Sequence, residues 1–411
     1  MKPLRAVRPP PGAPGSVVAL FLALAAATGG ASCGTADSKA SHGGGAPAGA
    51  GGGESQGSGS AAEGRTGGGS AEAGGVGAGS VSGAADAGIE VGGPSAGSVA
   101  GAADAGIEVS GPSAGSVSGA ADAELRVVRI IAIGDTGEGN LAQNQVADRM
   151  SEKCIEVGGC HAVIMNGDNF YAHGVTDTSD AQWGPKFEQP YDRPGLNGLP
   201  FYAVIGNHDY GPSSSGVRQA QIDYSGLPVG LGQGKRMSDK WHMPASYYDV
   251  RIRHVHLFGI DTVDFTSNEQ ADDMSARVAA SDATWKIVFG HHPRYTSGDH
   301  FLDNDTFGNS GMYAMQRAIY CGADMYMAGH DHNLELIDKG RDVDCPNTYF
   351  AISGAGSKTR PASASVPADP RQLFYTDAIE GFAYLRFEGD SLLFEFIDKN
   401  GALLYAKGIT K

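Results

Sequence analysis

The chain has 411 residues, 63 glycines and a formal net charge of −16, and these values exclude some classes of function. So acidic a chain is a poor candidate for binding nucleic acid, because phosphate backbones are held by basic patches. A small phosphate-bearing molecule remains compatible with the charge, since a bound metal ion would bring its own positive charge. Residues 125–411 are rich in Val, Ile, Phe and Tyr and predict one large core.

The first 33 residues predict an export signal. Basic residues precede an apolar run from Val17 to Ala27 that is too short to span a bilayer as a stable helix. Two endings are open: cleavage after the alanines of this run, or a bacterial lipoprotein box at 30–33 in which Cys33 carries a lipid. The sequence therefore predicts an exported protein that is secreted, periplasmic or tethered to a membrane as a lipoprotein.

Residues 34–124 predict a disordered linker rich in Gly, Ala and Ser, because they offer too little apolar bulk to offset the entropy of ordering. An eight-residue pattern that begins at Gly79 returns at Gly97 and Gly115. A fixed period can indicate a solenoid, but each copy has few aliphatic side chains and no aromatic one. We therefore interpret the repeats as a duplicated linker that precedes a folded domain at 125–411.

Apolar strands alternate with helices through this domain, which predicts the α/β fold class. The predicted strands are 127–133, 162–165, 201–205, 255–260, 287–289, 325–327 and a C-terminal meander at 383–387, 392–397 and 403–405. The predicted helices are 141–154, 271–280 and a segment near 312–319.

A glycine and then a metal-capable side chain follow five of these strands. Because the carboxyl ends of strands form the ligand-binding edge of open α/β sheets, we expect these side chains on one rim. Carboxylate, amide and imidazole donors suit iron, zinc or manganese. One such string alone is also typical of a turn with a capping Asn or Asp, but the ordered set indicates a metal site. The candidate ligands are Asp135, Asp168, Asn207, His291, His330 and His332.

Four cysteines follow Cys33 in the sequence. An even number in an exported chain is compatible with two disulfides, for which three connectivities are open. We expect the pairs that are close in sequence, Cys154–Cys160 and Cys321–Cys345. Their spacing is unlike that of zinc fingers, which argues against a metal site built from cysteine.

Five motifs follow one another along the domain: Gly134-Asp135-Thr136-Gly137, Gly167-Asp168-Asn169-Phe170-Tyr171, Gly206-Asn207-His208-Asp209, Gly290-His291-His292-Pro293 and Gly329-His330-Asp331-His332. Their order resembles that of the calcineurin-like metallophosphoesterases. The resemblance is closer to one branch, the purple acid phosphatases, in which a tyrosine follows the shared aspartate by three residues, as Tyr171 follows Asp168 here. Their small, tartrate-resistant type is the most similar, and the likeness covers about residues 127–411.

This resemblance implies a fold and a set of metal ligands. The fold would be a metallophosphoesterase-type β-sandwich of two mixed sheets flanked by helices. The first metal ion would be Fe(III), because a phenol ionises only beside strong positive charge, and the second a divalent ion, which would be Fe, Zn or Mn. The first ion would be held by Asp135, Asp168, Tyr171 and His332. The second would be held by Asp168, which bridges the two, with Asn207, His291 and His330.

The activity implied by the resemblance is that of an acid phosphatase, which hydrolyses phosphate monoesters by attack of metal-bound hydroxide at the dinuclear centre. His208 would be the acid that protonates the leaving group. His300, nine residues after His291, would contact the phosphate. Asp209 is expected to orient His208. His292 stands where a tyrosine is usual in the family, so its role is left open.

Two other functions compete with this one. A phosphodiesterase or nucleotidase could use the same centre, and a surface binding protein could have kept the fold and lost turnover. The complete set of seven ligands together with His208 argues against the loss of catalysis. We expect a phosphomonoester as the substrate, no nucleic-acid partner and a monomer, with a lipid anchor if Cys33 is modified.

Overall fold

A computed structural model of the chain describes residues 89–92, 126–210, 217–264, 268–301 and 316–411. The predicted export signal, Cys33 and most of the predicted linker lie outside these residues. So does the first half of the third predicted helix, whose described remainder is helical. In the part of the chain that the structure describes, no helix is both long and apolar enough to cross a membrane.

The described residues form two β-sheets with helices packed on them. The helices with described bounds are α1 (Leu141–Glu156), α2 (Val217–Ser225) and α3 (Glu269–Ala280). The strands are β1 (Ile89–Gly92), β2 (Val127–Ile133), β3 (Ala162–Met165), β4 (Phe201–Ala203), β5 (Trp241–His242), β6 (Tyr248–Ile252), β7 (Val255–Gly259), β8 (Trp285–Phe289), β9 (Met325–Ala328), β10 (Leu334–Ile337), β11 (Tyr349–Ser353), β12 (Gln372–Thr376), β13 (Gly381–Glu388), β14 (Ser391–Asp398) and β15 (Leu403–Thr410).

Both sheets mix parallel and antiparallel strands. The eight-stranded sheet has the order β1-β6-β7-β8-β9-β11-β10-β12, and the seven-stranded sheet has the order β15-β14-β13-β2-β3-β4-β5. The strands β7, β8, β9 and β11 run parallel in the first sheet, as do β2 to β5 in the second. The predicted α/β sandwich of two mixed sheets is confirmed.

Apolar residues on both faces of the parallel strands form the core. All seven residues of β2 and all four of β3 are buried, as is typical of parallel strands covered on both sides. Helix α1 covers them with Val146 and Met150, four residues apart on one helical face. Its N-cap Asn140 accepts a hydrogen bond from the backbone N of Gln143 at 2.9 Å. The core therefore holds the carboxyl ends of these strands rigidly.

The parallel strands of the two sheets end at a common rim. The Asn166 side chain, after β3, donates to the carbonyl oxygen of Ala328 in β9 at 3.1 Å. The backbone N of Gly134, after β2, donates to the carbonyl oxygen of Ser353 in β11 at 2.7 Å. These bonds join one sheet to the other, so the turns that carry the predicted ligands meet.

Two disulfides among the described residues lie toward the opposite ends of the strands. Cys154 is bonded to Cys160, and Cys321 to Cys345, so both predicted pairs are confirmed. Cys160 lies just before β3, Cys321 before β9 and Cys345 before β11. The cross-links therefore fix the segments that lead into the buried strands.

One short strand lies within the predicted linker. Strand β1 pairs antiparallel with β6, so that Ile89 faces Ile252 and Gly92 faces Asp249. For these four residues the structure differs from the predicted disorder, because β-branched Ile and Val favour pairing with a sheet edge. The rest of the linker lies outside the described residues, and the domain boundary at 125 stays a prediction.

Candidate metal centre

The predicted ligands stand on the turns that follow the parallel strands. Asp135 follows β2, Asp168 follows β3, His291 follows β8 and His330 follows β9. Asp135, Asp168 and His330 have left-handed backbone, with φ of +58°, +50° and +69°. Residues other than glycine rarely adopt this conformation, and it persists at functional sites where the surrounding structure holds it.

Glycines leave the space that these side chains occupy. A Cβ atom on Gly206, which precedes Asn207, would clash with the backbone N and Oδ1 of Asp168. A Cβ atom on Gly329 would lie 2.5 Å from Oδ2 of Asp135. The recurring glycine in the motifs is therefore a steric requirement of the ligand cluster.

One half of the centre, the anionic half, gathers two carboxylates, a phenol and an imidazole. The Tyr171 hydroxyl lies 2.7 Å from Oδ1 of Asp135, 2.7 Å from Oδ2 of Asp168 and 3.1 Å from Nε2 of His332. That Nε2 also lies 3.4 Å from Oδ1 of Asp135. Because a phenol has one proton to donate, more lone pairs than protons meet here. Such a surplus is expected around a cation.

The other half, the imidazole half, gathers neutral donors around the second oxygen of Asp168. His291 Nδ1 donates to the carbonyl oxygen of Asn166 at 2.8 Å, so Nε2 is the ring nitrogen that is directed at the centre. This Nε2 lies 3.0 Å from Oδ1 of Asn207, 3.2 Å from Nδ1 of His330 and 3.3 Å from Oδ1 of Asp168. Lone pairs converge in this half as well.

The acidic groups need positive charge in order to ionise together. Burial raises the pKa of Asp135 to about 7, and the neighbouring Asp168 carboxylate adds to the rise. Burial alone would raise the pKa of Asp168, but His291 and His208 outweigh it and lower that pKa below its usual value. Burial and the two carboxylates raise the pKa of Tyr171 above its usual range. Phenolate is therefore expected only beside a metal ion.

Two histidines of the centre are held neutral. Burial, followed by the positive charges of Lys358 and Arg360, lowers the pKa of His332 to about 3. Burial and neighbouring imidazoles, first His292, hold the pKa of His330 well below its usual value. Because a neutral ring keeps its lone pair, both rings can ligate a metal ion even in mildly acidic solution.

These donors fit a pair of cations. Ligand atoms of Asp135, Asp168 and His291 all lie within 4.8 Å of one another, and so do those of His291, His292 and His330. The anionic half offers two carboxylates and a phenol, whereas the imidazole half offers neutral donors and one shared carboxylate. Hard oxygen and imidazole donors in this arrangement suit iron, zinc or manganese.

Comparison with known proteins assigns the chain to a family. The sequence profile of calcineurin-like phosphoesterases matches residues 128–334. Purple acid phosphatase 17 of Arabidopsis thaliana is 31% identical over an alignment of 304 residues that covers 68% of this chain and 83% of that protein. The chain belongs to the purple acid phosphatases, within the calcineurin-like phosphoesterases. It is therefore a hydrolase that acts on phosphate esters.

Two further proteins are similar to this chain. Tartrate-resistant acid phosphatase type 5 of Homo sapiens is 26% identical over 313 residues, covering 68% of this chain and 89% of that protein. A solved structure described as "GAP50 the anchor in the inner membrane complex of Plasmodium" superposes with a TM-score of 0.55 at 23% identity, covering 69% of this chain and 89% of that one. This structural likeness supports the fold.

His208 of this phosphoesterase lies at the open side of the centre. Its Nδ1 bonds the carbonyl oxygen of Ala172 at 2.8 Å, so Nδ1 is the donor and Nε2 is directed elsewhere. Nε2 lies 4.0 Å from Oδ2 of Asp168, and 38% of the side chain is exposed. The backbone N of His208 donates to Oδ1 of Asp168 at 2.9 Å, which fixes the residue beside the shared carboxylate.

Asp209 does not have the predicted role of orienting His208. Its buried carboxylate accepts hydrogen bonds from the backbone N of Asn169 at 3.0 Å and of Gly206 at 2.8 Å. Asp209 therefore ties the turn after β3 to the turn after β4. The carbonyl oxygen of Ala172 orients the His208 ring instead. The prediction was wrong because sequence adjacency says little about which way two side chains point.

His300 lies beside the centre, stacked on a ligand. Its ring centroid is 4.0 Å from that of His330 at an interplanar angle of 30°. Its Nδ1 and backbone N each lie 2.9 Å from Oδ1 of Asp331. Its Nε2 lies 3.0 Å from a guanidinium nitrogen of Arg360 and accepts from it, since a guanidinium only donates. His300, which was predicted to contact the phosphate, thus lies close to the metal ligands and is hydrogen-bonded to the cation Arg360.

The sequence patterns left the role of His292 open and did not indicate that Lys358 and Arg360 lie at the centre. The His292 ring lies 4.5 Å from that of His330, and its pKa is lowered to about 3, first by burial. Lys358 Nζ lies 3.2 Å from the ring centroid of Tyr171. Both cations lie just after a glycine-containing turn that follows β11. The predicted ligands lie in turns of the same kind, so this sequence pattern could have identified the two cations.

Proposed function

We propose that this chain is an acid phosphatase that hydrolyses phosphate monoesters at a dinuclear metal centre. Fe(III) would occupy the anionic half, and a divalent Fe, Zn or Mn ion the imidazole half. The observation that carries the proposal is one carboxylate shared by both halves. Asp168 presents Oδ2 to the Tyr171 hydroxyl at 2.7 Å and Oδ1 to His291 Nε2 at 3.3 Å.

The donor chemistry supports this distribution of charge. Tyr171 has its pKa raised by burial and by two carboxylates, so its phenolate needs the strong positive charge of a trivalent ion. Neutral donors and a single shared carboxylate suit a divalent ion. The lowered pKa values of His330 and His332 support activity in acid, because these rings would keep their lone pairs there.

Residues of the chain itself would complete the reaction. When bound, the two ions supply positive charge that holds a phosphoryl group and acidifies a water molecule. His208, whose side chain is 38% exposed, has Nε2 at 4.0 Å from the shared carboxylate of Asp168, where it would protonate the leaving oxygen. His300, stacked on His330, would border the bound phosphate. The motif turns hold these groups in place before substrate arrives, which lowers the entropy cost of reaction.

Metal analysis, visible spectroscopy and a comparison of two substrates test the proposal together. We expect two metal ions per chain, a visible band from tyrosinate on Fe(III), and faster hydrolysis of 4-nitrophenyl phosphate than of bis(4-nitrophenyl) phosphate below pH 6. Tyr171→Phe should lose the band. The matched control is Tyr384→Phe, which removes the hydroxyl of a buried ring in β13 and should keep the visible band.

Each alternative has its own outcome in this experiment. Preference for the diester would indicate a phosphodiesterase. A chain that holds two metal ions and hydrolyses neither ester would be a binding protein. A single metal ion per active chain would contradict the dinuclear centre.

We also infer that the protein is exported and monomeric. The disulfides Cys154–Cys160 and Cys321–Cys345 support export, because such bonds persist in oxidising compartments. Mass spectrometry of the mature chain would distinguish a lipid on Cys33 from cleavage after the alanines near position 27. An uncleaved chain would contradict both endings. Gel filtration of the mature chain would test the monomer.

A further inference from the structure

A short segment after β11 crosses the anionic half of the centre. Ser357 Oγ donates to the carbonyl oxygen of Asp135 at 2.6 Å. The backbone N of Arg360 donates to the carbonyl oxygen of His332 at 3.2 Å. Both anchors are backbone atoms of predicted metal ligands, so the segment is fixed against the centre. It brings Lys358 and Arg360, two positions apart, to the rim.

Lys358 is the first cation on this segment. Its Nζ lies 3.2 Å from the ring centroid of Tyr171 and 2.6 Å from Oε1 of Glu138. Its side chain is 29% exposed, so the ammonium lies over a ligand and still reaches solvent. An ammonium has three donor hydrogens, and the carboxylate partner leaves the others for a second acceptor.

Arg360 is the second cation. One of its guanidinium nitrogens donates to Nε2 of His300 at 3.0 Å and lies 3.8 Å from Oδ2 of Asp299. Its side chain is 40% exposed. A guanidinium has five donor hydrogens in a planar fork that matches the oxygens of a phosphate. The contact with His300 therefore orients the fork without using all of its donors.

The carboxylates paired with these cations do not block the rim. Glu138 and Asp299 are themselves partly exposed, and exposed ion pairs contribute little, commonly below about 1 kcal/mol. An incoming phosphate with two negative charges can compete with such partners. Two cations held beside the metal centre in a chain of net charge −16 indicate a local need for positive charge.

We propose that Lys358 and Arg360, together the cationic rim, bind a second phosphate group on the substrate. The inference rests on the proposed function, since the metal centre would take the phosphate that is removed. The leaving group would carry the other phosphate, which the rim would hold by charge-assisted hydrogen bonds. The preferred substrates would be small bisphosphorylated molecules rather than esters with a neutral leaving group.

Two esters that differ by one phosphate test this inference. We would measure kcat/KM of the metal-loaded chain for fructose 1,6-bisphosphate and for fructose 1-phosphate and take their ratio. Because each charge-assisted bond is strong, Lys358→Gln and Arg360→Gln should each lower the ratio about tenfold, and the double variant roughly a hundredfold. Arg360→Lys should restore part of the loss.

The matched control is Arg386→Gln, which removes a cation paired with Glu388 in the C-terminal meander. It should leave the ratio as in the parent. An unchanged ratio in the double variant overturns the inference. A parallel fall for both esters also overturns it, because Arg360 would then act only through His300. If Arg360 variants fail to fold, Lys358→Gln alone decides the matter.

A binding measurement separates this inference from the proposed function. Calorimetric titration of the metal-loaded chain should show tighter binding of methylenediphosphonate than of inorganic phosphate, and the double variant should lose the difference. A chain that shows this difference but hydrolyses no ester would support phosphate binding by the cationic rim and would contradict the proposed phosphatase activity. A chain that hydrolyses monoesters but binds the two ligands equally tightly would contradict phosphate binding by the cationic rim and leave the proposed phosphatase activity standing.

Discussion

The carboxyl and amino ends of the parallel strands differ in their chemistry. At the carboxyl ends, Asp135 and Asp168 are buried with at most 1% exposure and have left-handed backbone. At the amino ends, disulfides through Cys160, Cys321 and Cys345 fix the segments that lead into β3, β9 and β11. One end concentrates charge and backbone strain, and the other concentrates cross-links.

This contrast indicates that catalysis and stability are separated along the strands. Acidic groups buried together and left-handed backbone both oppose folding, whereas cross-links reduce the entropy of the unfolded chain. Variants at the carboxyl ends are therefore expected to change activity more than stability. Variants at the amino ends should do the reverse.

The largest effect is expected from Asp168→Ala. Groups that merely support metal ligands are worth about 10- to 100-fold in affinity or activity, so loss of the shared carboxylate should exceed about 100-fold in phosphate release. Both metal ions should be lost, since Asp168 faces both halves of the centre. Metal analysis, circular dichroism and a phosphatase assay check this. A folded variant that keeps its iron and its activity would contradict the assignment.

Gly206→Ala tests whether the ligand cluster at the carboxyl ends needs the space that this glycine leaves, and it replaces no ligand. The new Cβ would clash with Oδ1 of Asp168, so metal content should fall and activity should drop about 10- to 100-fold, as when a supporting group is removed. Gly408→Ala is the control, because no atom lies within 4 Å of a Cβ built there. Equal activity in the two variants would show that the rim tolerates the displacement.

Removing the disulfides tests the amino ends. Replacing Cys321 and Cys345 with Ala opens a loop with a sequence separation of 24, and replacing Cys154 and Cys160 opens one of 6. The chain-entropy relation predicts losses of about 3–4 and about 2 kcal/mol in the free energy of unfolding. Urea denaturation measures both, and the folded variants should keep kcat within about twofold. A large loss of kcat would contradict the idea that catalysis and stability are separated between the two ends of the strands.

Glu335→Gln is expected to change how stability depends on pH. Burial raises the pKa of this carboxyl, which accepts hydrogen bonds from Ser297 and Gln372, from 4.5 to about 7. The folded chain keeps the proton up to about pH 7, whereas the unfolded chain releases it near 4.5. Stability therefore falls as pH rises through this window, by at most about 3 kcal/mol.

Urea midpoints at pH 4.5 and 7 would show whether Glu335→Gln flattens this slope. Glu388→Gln, at a side chain that is 49% exposed, serves as the control and should leave the slope as in the parent. An unchanged slope in Glu335→Gln would contradict the raised pKa, because it would mean that this carboxyl ionises at the same pH in the folded and the unfolded chain.

Local patterns carried most of the successful predictions. Five of the ligands come directly after a glycine that lies a few residues beyond the end of a strand, as Asp135 does after β2, so their place on the rim could be predicted from a few neighbouring residues. The disulfide Cys154–Cys160 was predictable for the same reason, since its cysteines are six positions apart. The two mixed sheets followed from the family resemblance, because the order of the motifs is a property of the linear chain.

Side-chain partnerships between distant positions were not predictable. Arg360 bonds His300 across 60 positions, and Asp209 bonds Asn169 across 40. No local pattern encodes such distances, which depend on how separate turns pack. The same holds for β1, whose partner β6 lies more than a hundred positions away. Sequence adjacency suggested a partner for Asp209, and packing supplied another.

The linear order of strands, glycines and donor side chains sets which atoms are available to bind metal ions, because those preferences act over a few residues. Whether the lone pairs meet depends on contact between the two sheets, as in the bond from Asn166 to Ala328 across 162 positions. Burial, which keeps His332 neutral and raises the pKa of Asp135, arises from the same contact. These distances and solvation energies belong to the packed core, so they come into existence when the chain folds.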